Sequence, residues 1–568
     1  MDWTPPQADA TLSFKMSQTS AIHSGPIACK IEPALWLLFA LIWFGSLGYR
    51  GLIHADEGRY ATISLFMLHS GDWVTPRLNG LLYFEKPILQ YWMGALSFAA
   101  FGVNEFAARF WPGLTGFLSV AAVSLTARRL WSTEAGRHAA LAAGGMAWIV
   151  ANSHFLSLDM GVSFFLTAAL CGFLLAQRAE ASREETRWAM WLTWAAMAGA
   201  TLSKGLIGLL IPGATLVLYS LVNWQWSFWK RMHWISGLAL FLALTAPWFV
   251  LVSERNPDFA RFFFIREHFE RFLTTEHKRT GAPWYFVPYL ILGLLPWTTL
   301  LPRMVRDAWA DRASSLRIGR LLLIWCVFIF AFFSKSSSKL PSYILPMFPA
   351  LALMLAHSLP RMAPGELKKH IVLPALLWLA LLAAWPFAGR FANADSPPEV
   401  ILPFARFIAA GAAAFLIAAL FAWRALGRGK MLAALAALAF GSLAAVTLAA
   451  SGHDSYGRLK GSKEIAKQIQ PYLAPDSEIY SIRYYDQTFP YYVGRPVTLV
   501  DFVDEFEFGE GQEPQRWMPR IEQFAERWRA APKAVAMMSD DTYSLFRRQG
   551  LPMKVIYQDP RRMVVAKP

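Results

Sequence analysis

The sequence predicts an α-helical polytopic membrane protein that carries a small α/β domain at its C-terminus. Three observations point there. The 568 residues are 55% hydrophobic and only 16% charged, which is outside the range of ordinary soluble chains. Thirteen apolar runs, each near the roughly 20 residues a spanning helix needs, occupy 35–53, 110–127, 138–155, 160–177, 188–202, 205–222, 234–252, 285–301, 317–333, 341–357, 371–388, 402–422 and 431–450. Beyond residue 450 the pattern changes to short β-rich runs with helical ones between them.

Residues 1–34 hold no apolar stretch followed by a small-residue cleavage site. The first run therefore reads as an uncleaved anchor with a cytoplasmic segment before it. The run 88–102 is short and contains Gln90, so it reads as a helix lying at the membrane interface. With that run left out, the connections holding Arg128/Arg129, Arg178/Arg183, Lys230/Arg231, Arg303/Arg306, Arg361/Lys368 and Arg424/Arg428 share one side, the cytoplasmic side by the positive-inside rule. The body of the protein is then 35–450, with external loops at 54–109 and 253–284. An odd number of crossings leaves 451–568 outside, where 478–485, 495–501, 533–539, 553–558 and 562–566 read as strands and Glu522–Trp528 as helix.

Charge and cysteine content narrow the function. The chain has a net charge of +15, yet cations and anions nearly balance beyond residue 450, so the excess belongs to the apolar part and faces lipid headgroups and cytoplasm. No basic stripe with interleaved aromatics marks the external domain, which argues against a nucleic-acid partner. Cys29, Cys171 and Cys326 all precede that domain, so neither a disulfide framework nor a thiolate metal site is expected there.

Polar residues gather at the external ends of the spans: Asp56, Glu57, Arg59, Tyr60, Glu85, Lys86, Asp159, Lys204, His268, Arg271, Lys335, Lys339 and Tyr343. Charges at membrane depth are costly and usually functional, and convergence from many loops onto one face describes a polar cavity. Each residue also has a plainer reading. Asp56, Glu57 and Asp159 suit helix N-termini, Glu85-Lys86-Pro87 suits an ion pair before a helix, and Lys335 and Lys339 suit headgroup anchors. The loop 253–284 is amphipathic, with Phe262, Phe263 and Phe264 able to face lipid. His268 and Arg271 are three residues apart on one helical face, suited to an anion or a metal.

Asp56-Glu57 with Arg59-Tyr60, then GDWVTP (71–76), YFEKPILQYW (83–92), EHFERF (267–272) and SSKLPSYILP (337–346) together resemble the polyprenyl-phosphate-dependent membrane glycosyltransferases. Within these the chain is most similar to the aminoarabinose transferases of Gram-negative bacteria. The resemblance covers residues 35 to about 360. It implies a C-type glycosyltransferase fold of about thirteen transmembrane helices, interfacial helices in the first external loop, a periplasmic C-terminal domain and a catalytic acid that falls on Asp56. It also implies a monomer of the inner membrane that moves 4-amino-4-deoxy-L-arabinose from undecaprenyl phosphate to lipid A, a modification that gives resistance to polymyxin and other cationic peptides.

For such chemistry the residues suggest roles. Asp56 and Asp159 are the candidate catalytic carboxylates. Lys86 and Arg271, with Tyr343 as a neutral donor, would hold the donor phosphate as its charge develops. Arg59, Tyr60, Tyr83 and Lys204 would complete the cavity wall. Glu85 and His268 could ligate a divalent cation, zinc or manganese, although no compact spacing motif requires it. Direct displacement would invert the anomeric centre. The rivals are a transferase acting on another glycan or on protein Ser/Thr, and a lipid or sugar transporter. A transporter would tend to place its polar residues at the bilayer midplane rather than at span ends.

Overall fold

A computed structural model describes residues 26–270, 281–311, 316–393 and 396–568. The helices of the first half are α1 (Pro26–Gly45), α2 (Asp56–Ser70), α3 (Leu89–Phe101), α4 (Glu105–Leu130), α5 (Thr133–Gly145), α6 (Ala147–Ser153), α7 (Asp159–Ala176), α8 (Arg183–Lys204), α9 (Ile207–Asn223) and α10 (Trp234–Arg255). Among the described residues, eight helices are long and apolar enough to cross a membrane. They are α4, α7, α10, Ile318–Lys335, Pro341–Arg361, Pro364–Phe391, Pro398–Gly427 and Met431–Lys460. Two shorter apolar helices are Glu32–Gly45, within α1, and α9. The run 188–202 lies inside α8, whose first turn adds Arg183, Glu184 and Glu185. The thirteen residues of α3, at about 1.5 Å per residue, fall short of a hydrocarbon core roughly 30 Å thick.

Two runs that read as single spans are broken in the middle. Residues 138–155 divide into α5 and α6 at Met146, whose backbone is extended. Residues 285–301 divide between Phe286–Gly293 and Leu301–Ala310 around Pro296. The two breaks face one another: Ala147 N donates to Leu295 O at 3.0 Å, and Trp297 Nε1 donates to Ala142 O at 3.0 Å. Backbone groups released from a helix in an apolar interior need partners, and here each break supplies the other's.

The first run also ends earlier than its hydropathy suggests. Helix α1 stops at Gly45, and 46–55 is a partly buried, non-helical segment. Its carbonyls turn to a side chain instead of continuing the helix. Arg109 of α4 donates to the backbone oxygens of Leu47, Arg50 and Gly51 at 3.0, 2.7 and 2.9 Å. Arg109 and Arg50 together close on Glu57 with four N–H···O contacts of 2.7–2.9 Å. The Glu57 carboxylate also accepts from the backbone N–H groups of Ile53 and Leu156, at 3.2 and 3.0 Å. Glu57 is thus the buried anchor of α2.

The C-terminal region is a mixed α/β domain. Besides the short hairpin β1 (Arg77–Leu78) and β2 (Leu81–Leu82), the strands are β3 (Glu478–Ile482), β4 (Thr498–Val500), β5 (Ala534–Met538), β6 (Lys554–Gln558) and β7 (Met563–Ala566). Each of β3 to β7 lies in one of the five β-rich runs read from the sequence. Their order is β4-β3-β5-β7-β6, parallel between β4, β3 and β5 and antiparallel across β7. Strand alternation sorts the side chains into two cores. Tyr480, Ile482, Ala536, Met538 and Val565 face the helices Ile521–Ala530 and Asp540–Arg548. Ile479, Val535, Met537, Val564 and Ala566 join a core that runs on through α2, α3 and the aromatic residues of 259–264.

This second core corrects one reading of the loop 253–284. Phe263 is not turned to lipid: it is fully buried, stacked on Phe259 with ring centroids 5.4 Å apart. Phe262 packs on Phe508 of the C-terminal domain at 4.4 Å. For Phe262 the cover comes from a residue far downstream in sequence, which periodicity within the loop does not reveal.

Contact between α2 and the domain is close. A Cβ on Gly58 would stand 2.5 Å from the backbone of Gln487 and Thr488. In Gly58→Ala, the gain in helix propensity of about 1 kcal/mol is set against overpacking of about 1–3 kcal/mol. The obstacle is backbone rather than a mobile side-chain end, so the clash should win, and the unfolding midpoint of the detergent-solubilised protein should fall.

Glu57→Ala should do more damage, because it leaves two buried guanidiniums uncompensated, a loss of about 3–5 kcal/mol. Burial alone would push the Glu57 carboxyl up, but Arg109 and Arg50 override it and hold it well below the usual carboxylate range. The folded state therefore binds this proton more weakly than the unfolded chain does. The stabilisation is present above about pH 4.5, the group's ordinary value, and is lost as pH falls towards the folded-state value. Thermal melts of wild type and Glu57→Ala should differ most at neutral pH and converge in strong acid.

Candidate active site

Asp56 and Glu57 are adjacent on a helix and so point about 100° apart. One faces the interior, the other a polar cavity of about 300 Å³. The cavity wall includes Asp56, Arg59, Tyr60, Glu85, Lys86, Asp159, Lys204 and Tyr343, eight residues singled out from the sequence and drawn from separate segments. Tyr83 does not line it but lies buried beside it. Arg271 lies outside the described residues, as does the side chain of His268. Lys339 is turned elsewhere, donating to Gly281 O at 2.6 Å.

Arg59 lies one turn after Asp56, and its Nη1 donates to Asp56 Oδ1 at 2.6 Å. Its Nε donates to Glu505 Oε2 of the C-terminal domain at 2.5 Å. The Asp56 side chain is 48% exposed, against 12% for Arg59 and 7% for Glu505. Burial, with Asp56 next in weight, pushes the Tyr60 hydroxyl well up, so Tyr60 enters the wall as a neutral hydrogen-bond donor. Burial likewise pushes the Glu505 carboxyl up, with Arg59 pulling the other way.

Two further clusters complete the wall. Lys86, just before α3, donates to the Glu85 backbone oxygen at 2.7 Å and to Glu267 Oε2 at 3.3 Å. Asp159 opens α7, pairs with Lys204 at the end of α8 and accepts from Ser342 Oγ at 2.6 Å. The Lys204 ammonium sits 4.4 Å over the Tyr343 ring, within cation–π range.

The lining also includes residues outside the sequence-based site candidates, among them Arg266 and Glu267 in the π-helix Arg261–Glu270, and Asp504, Glu505, Glu507 and Phe508 of the C-terminal domain. Arg266 Nη2 donates to Glu507 Oε2 at 2.5 Å, tying the loop to the domain. One signal was available. Residues 501–510 (DFVDEFEFGE) hold five carboxylates in ten positions, a local excess hidden by the balanced charge of the domain as a whole.

Glu85 sits on the cavity, but its carboxylate lies 3.7 Å from Lys86 Nζ. Among the described residues no group of three or more His, Cys, Asp or Glu is placed to hold a metal ion. Of the expected metal pair, Glu85 and His268, only the Glu85 side chain falls among the described residues.

Both the membrane body and the C-terminal domain match known protein families. Residues 465–567 match the family described as aminoarabinose transferase C-terminal domain, and 29–263 match dolichyl-phosphate-mannose-protein mannosyltransferase. The chain is 36% identical over 329 residues to the undecaprenyl phosphate-alpha-4-amino-4-deoxy-L-arabinose arabinosyl transferase of Pseudomonas aeruginosa, covering 57% of this chain and 59% of that one. The match thus spans about three-fifths of that relative's length. The same-named protein of Erwinia tasmaniensis is 34% identical over 415 residues, 70% of this chain and 71% of that one. The crystal structure of ArnT from Cupriavidus metallidurans bound to undecaprenyl phosphate superposes with a TM-score of 0.91 at 37% identity, over 95% of this chain and 98% of that one. The chain belongs to the aminoarabinose transferase family.

Proposed function

We propose that the protein is an inverting glycosyltransferase of the bacterial inner membrane, moving 4-amino-4-deoxy-L-arabinose from undecaprenyl phosphate to a lipid A phosphate. The reaction takes place in the cavity described above, on the periplasmic side of a C-type glycosyltransferase body of about thirteen crossings. The observation that carries this reading is the meeting of Asp56, Lys86, Asp159, Lys204 and Tyr343 in one cavity, in a chain that superposes closely on a relative bound to undecaprenyl phosphate.

The donor keeps its tail in the bilayer and its phosphate at the surface, which accounts for a site at the ends of helices. Departure of the sugar adds negative charge to that phosphate. A cation that binds the developing dianion more tightly than the ground state lowers the barrier, and we assign this role to Lys86 and Arg271, with Tyr343 as a neutral donor. The acceptor phosphate is already ionised near neutrality, so a general base has little to remove. Asp56 instead offers its open carboxylate edge to the positive charge that grows on the sugar ring.

The lining also suits the sugar's amine. Among the described residues, seven carboxylates (Asp56, Glu85, Asp159, Glu267, Asp504, Glu505, Glu507) face four cations (Arg59, Lys86, Lys204, Arg266). An acidic excess is unfavourable for two anionic lipids alone and favourable for a donor that brings an ammonium with it. N-acetylation of the donor amine should therefore depress kcat/KM by an order of magnitude or more.

The direct test incubates purified protein with labelled donor lipid and lipid A, followed by mass spectrometry of the product. Covalent transfer of one aminopentose is expected, and movement of lipid without transfer would reinstate the transporter. Asp56→Asn should fold normally yet lose on the order of 10²-fold or more in kcat, and Lys86→Ala should lose a comparable factor in donor use. Full turnover in either would remove that residue from the mechanism.

A further inference from the structure

The mechanism above draws its catalytic carboxylate and phosphate-binding groups from the membrane body and takes only acidic lining from the C-terminal domain, yet that domain reaches the Asp56 carboxylate through one guanidinium. Arg59 spends its Nε on Glu505, at 2.5 Å, and one Nη on Asp56 Oδ1, at 2.6 Å. Held this way, the guanidinium meets Asp56 with a single prong. Among the described residues Asp56 Oδ2 has no hydrogen-bond partner, and it belongs to a side chain 48% exposed to the cavity.

Glu505 is itself held. Its Oε1 accepts from Gln487 Nε2 at 2.8 Å, and the Gln487 backbone oxygen accepts from Thr62 Oγ1 of α2 at 3.0 Å. The neighbouring Asp486 is pinned by Thr488, whose N and Oγ1 donate at 2.9 and 2.6 Å, and by Arg562 at the start of β7, with both members of that pair fully buried. Arg562 in turn donates to Gly461 O at 2.6 Å. The position of Glu505 is thus inherited from the sheet.

We infer that Glu505 is a positioning residue for the transfer: by anchoring Arg59 through Nε it fixes the guanidinium at an angle from which only Nη1 reaches Asp56, and so keeps one carboxylate oxygen open to the sugar. Arginine and carboxylate favour the two-pronged pair whenever both edges are free. Without the Glu505 charge, Arg59 turns onto Asp56 and occupies the oxygen that faces the cavity. The domain therefore completes the active site rather than only covering it. This rests on the reading of Asp56 as the catalytic carboxylate.

The test is steady-state kinetics on full-length variants in detergent or nanodiscs. Glu505→Gln should lower kcat about tenfold with donor KM and unfolding midpoint unchanged, whereas Glu505→Asp, which keeps the charge, should retain most of the turnover. The double variant Arg59→Gln/Glu505→Gln should be no slower than Arg59→Gln alone, since without the guanidinium Glu505 has nothing to restrain. Glu522→Gln, on an exposed helix of the same domain, is the control. Wild-type kcat in Glu505→Gln alongside an inactive Asp56→Asn would overturn the positioning role and leave the transferase intact. Equal losses of kcat and midpoint in Glu505→Gln and Glu505→Asp would overturn it in favour of simple scaffolding. An active Asp56→Asn would remove the reading beneath it.

Discussion

Two guanidiniums, Arg50 and Arg109, close on the Glu57 carboxylate in the interior of the protein, and the placement of Asp56 in the candidate site follows from that triad. Burying three charges is expensive, and pairs of this kind often give less stability than a well-packed apolar replacement. What the triad supplies here is a defined conformation. It ends the first helix early, satisfies the carbonyls of Leu47, Arg50 and Gly51, and ties α2 to α4 and, through Leu156 N, to the turn before α7. With Glu57 committed inward, Asp56 has only the cavity to face. Adjacent acids in one chain thus divide into an anchor and a working group.

The C-terminal domain depends on that arrangement in turn. It meets α2 so closely at Gly58 that no side chain fits between them. It also holds the first external loop by paired hydrogen bonds of 2.7 and 2.8 Å between Asn79 and Val497 and by the Arg77–Glu513 ion pair. Its apolar face is continuous with the core around α2 and α3. A domain held at several places in this way can fix the position of a carboxylate, which a loose cap could not do.

How much of this was legible in the sequence follows the range of the signal. Asp56, Lys86, Asp159, Lys204 and Tyr343 stood out because each is a polar group at the edge of an apolar run, a local anomaly that hydropathy exposes. The five strands were legible for the same reason, as short β-branched runs between turn residues. Glu505 was not, since its meaning depends on Arg59, 446 positions away, and acidic residues in an external domain are ordinary. The helix breaks at Met146 and Pro296 were hidden because each is relieved by the other, a pairing that no single window contains. Phe262 and Phe263 followed a lipid-facing period, but Phe263 is buried against Phe249 and Phe259, and Phe262 is covered by Phe508 from the distant C-terminal domain.

At rest, each cation that lines the described cavity already has a carboxylate: Arg59 has Asp56 and Glu505, Lys86 has Glu267, Lys204 has Asp159, and Arg266 has Glu507. A lipid phosphate entering such a site does not meet bare positive charge. It exchanges for a carboxylate, and exchanging one monoanion for another is nearly neutral in Coulomb energy, so ground-state binding gains little from it. The gain comes afterwards, when the departing phosphate takes a second negative charge that the displaced carboxylate never carried. Paired cations of this kind discriminate between ground state and transition state better than unpaired ones would, because uniform tightness towards both would not speed the chemical step. The displaced carboxylates are not idle either. In the proposed reaction, carboxylates freed from lysine and arginine become available to the one cation the donor would bring, its sugar amine, so charge stays balanced inside the cavity as the anionic headgroups enter.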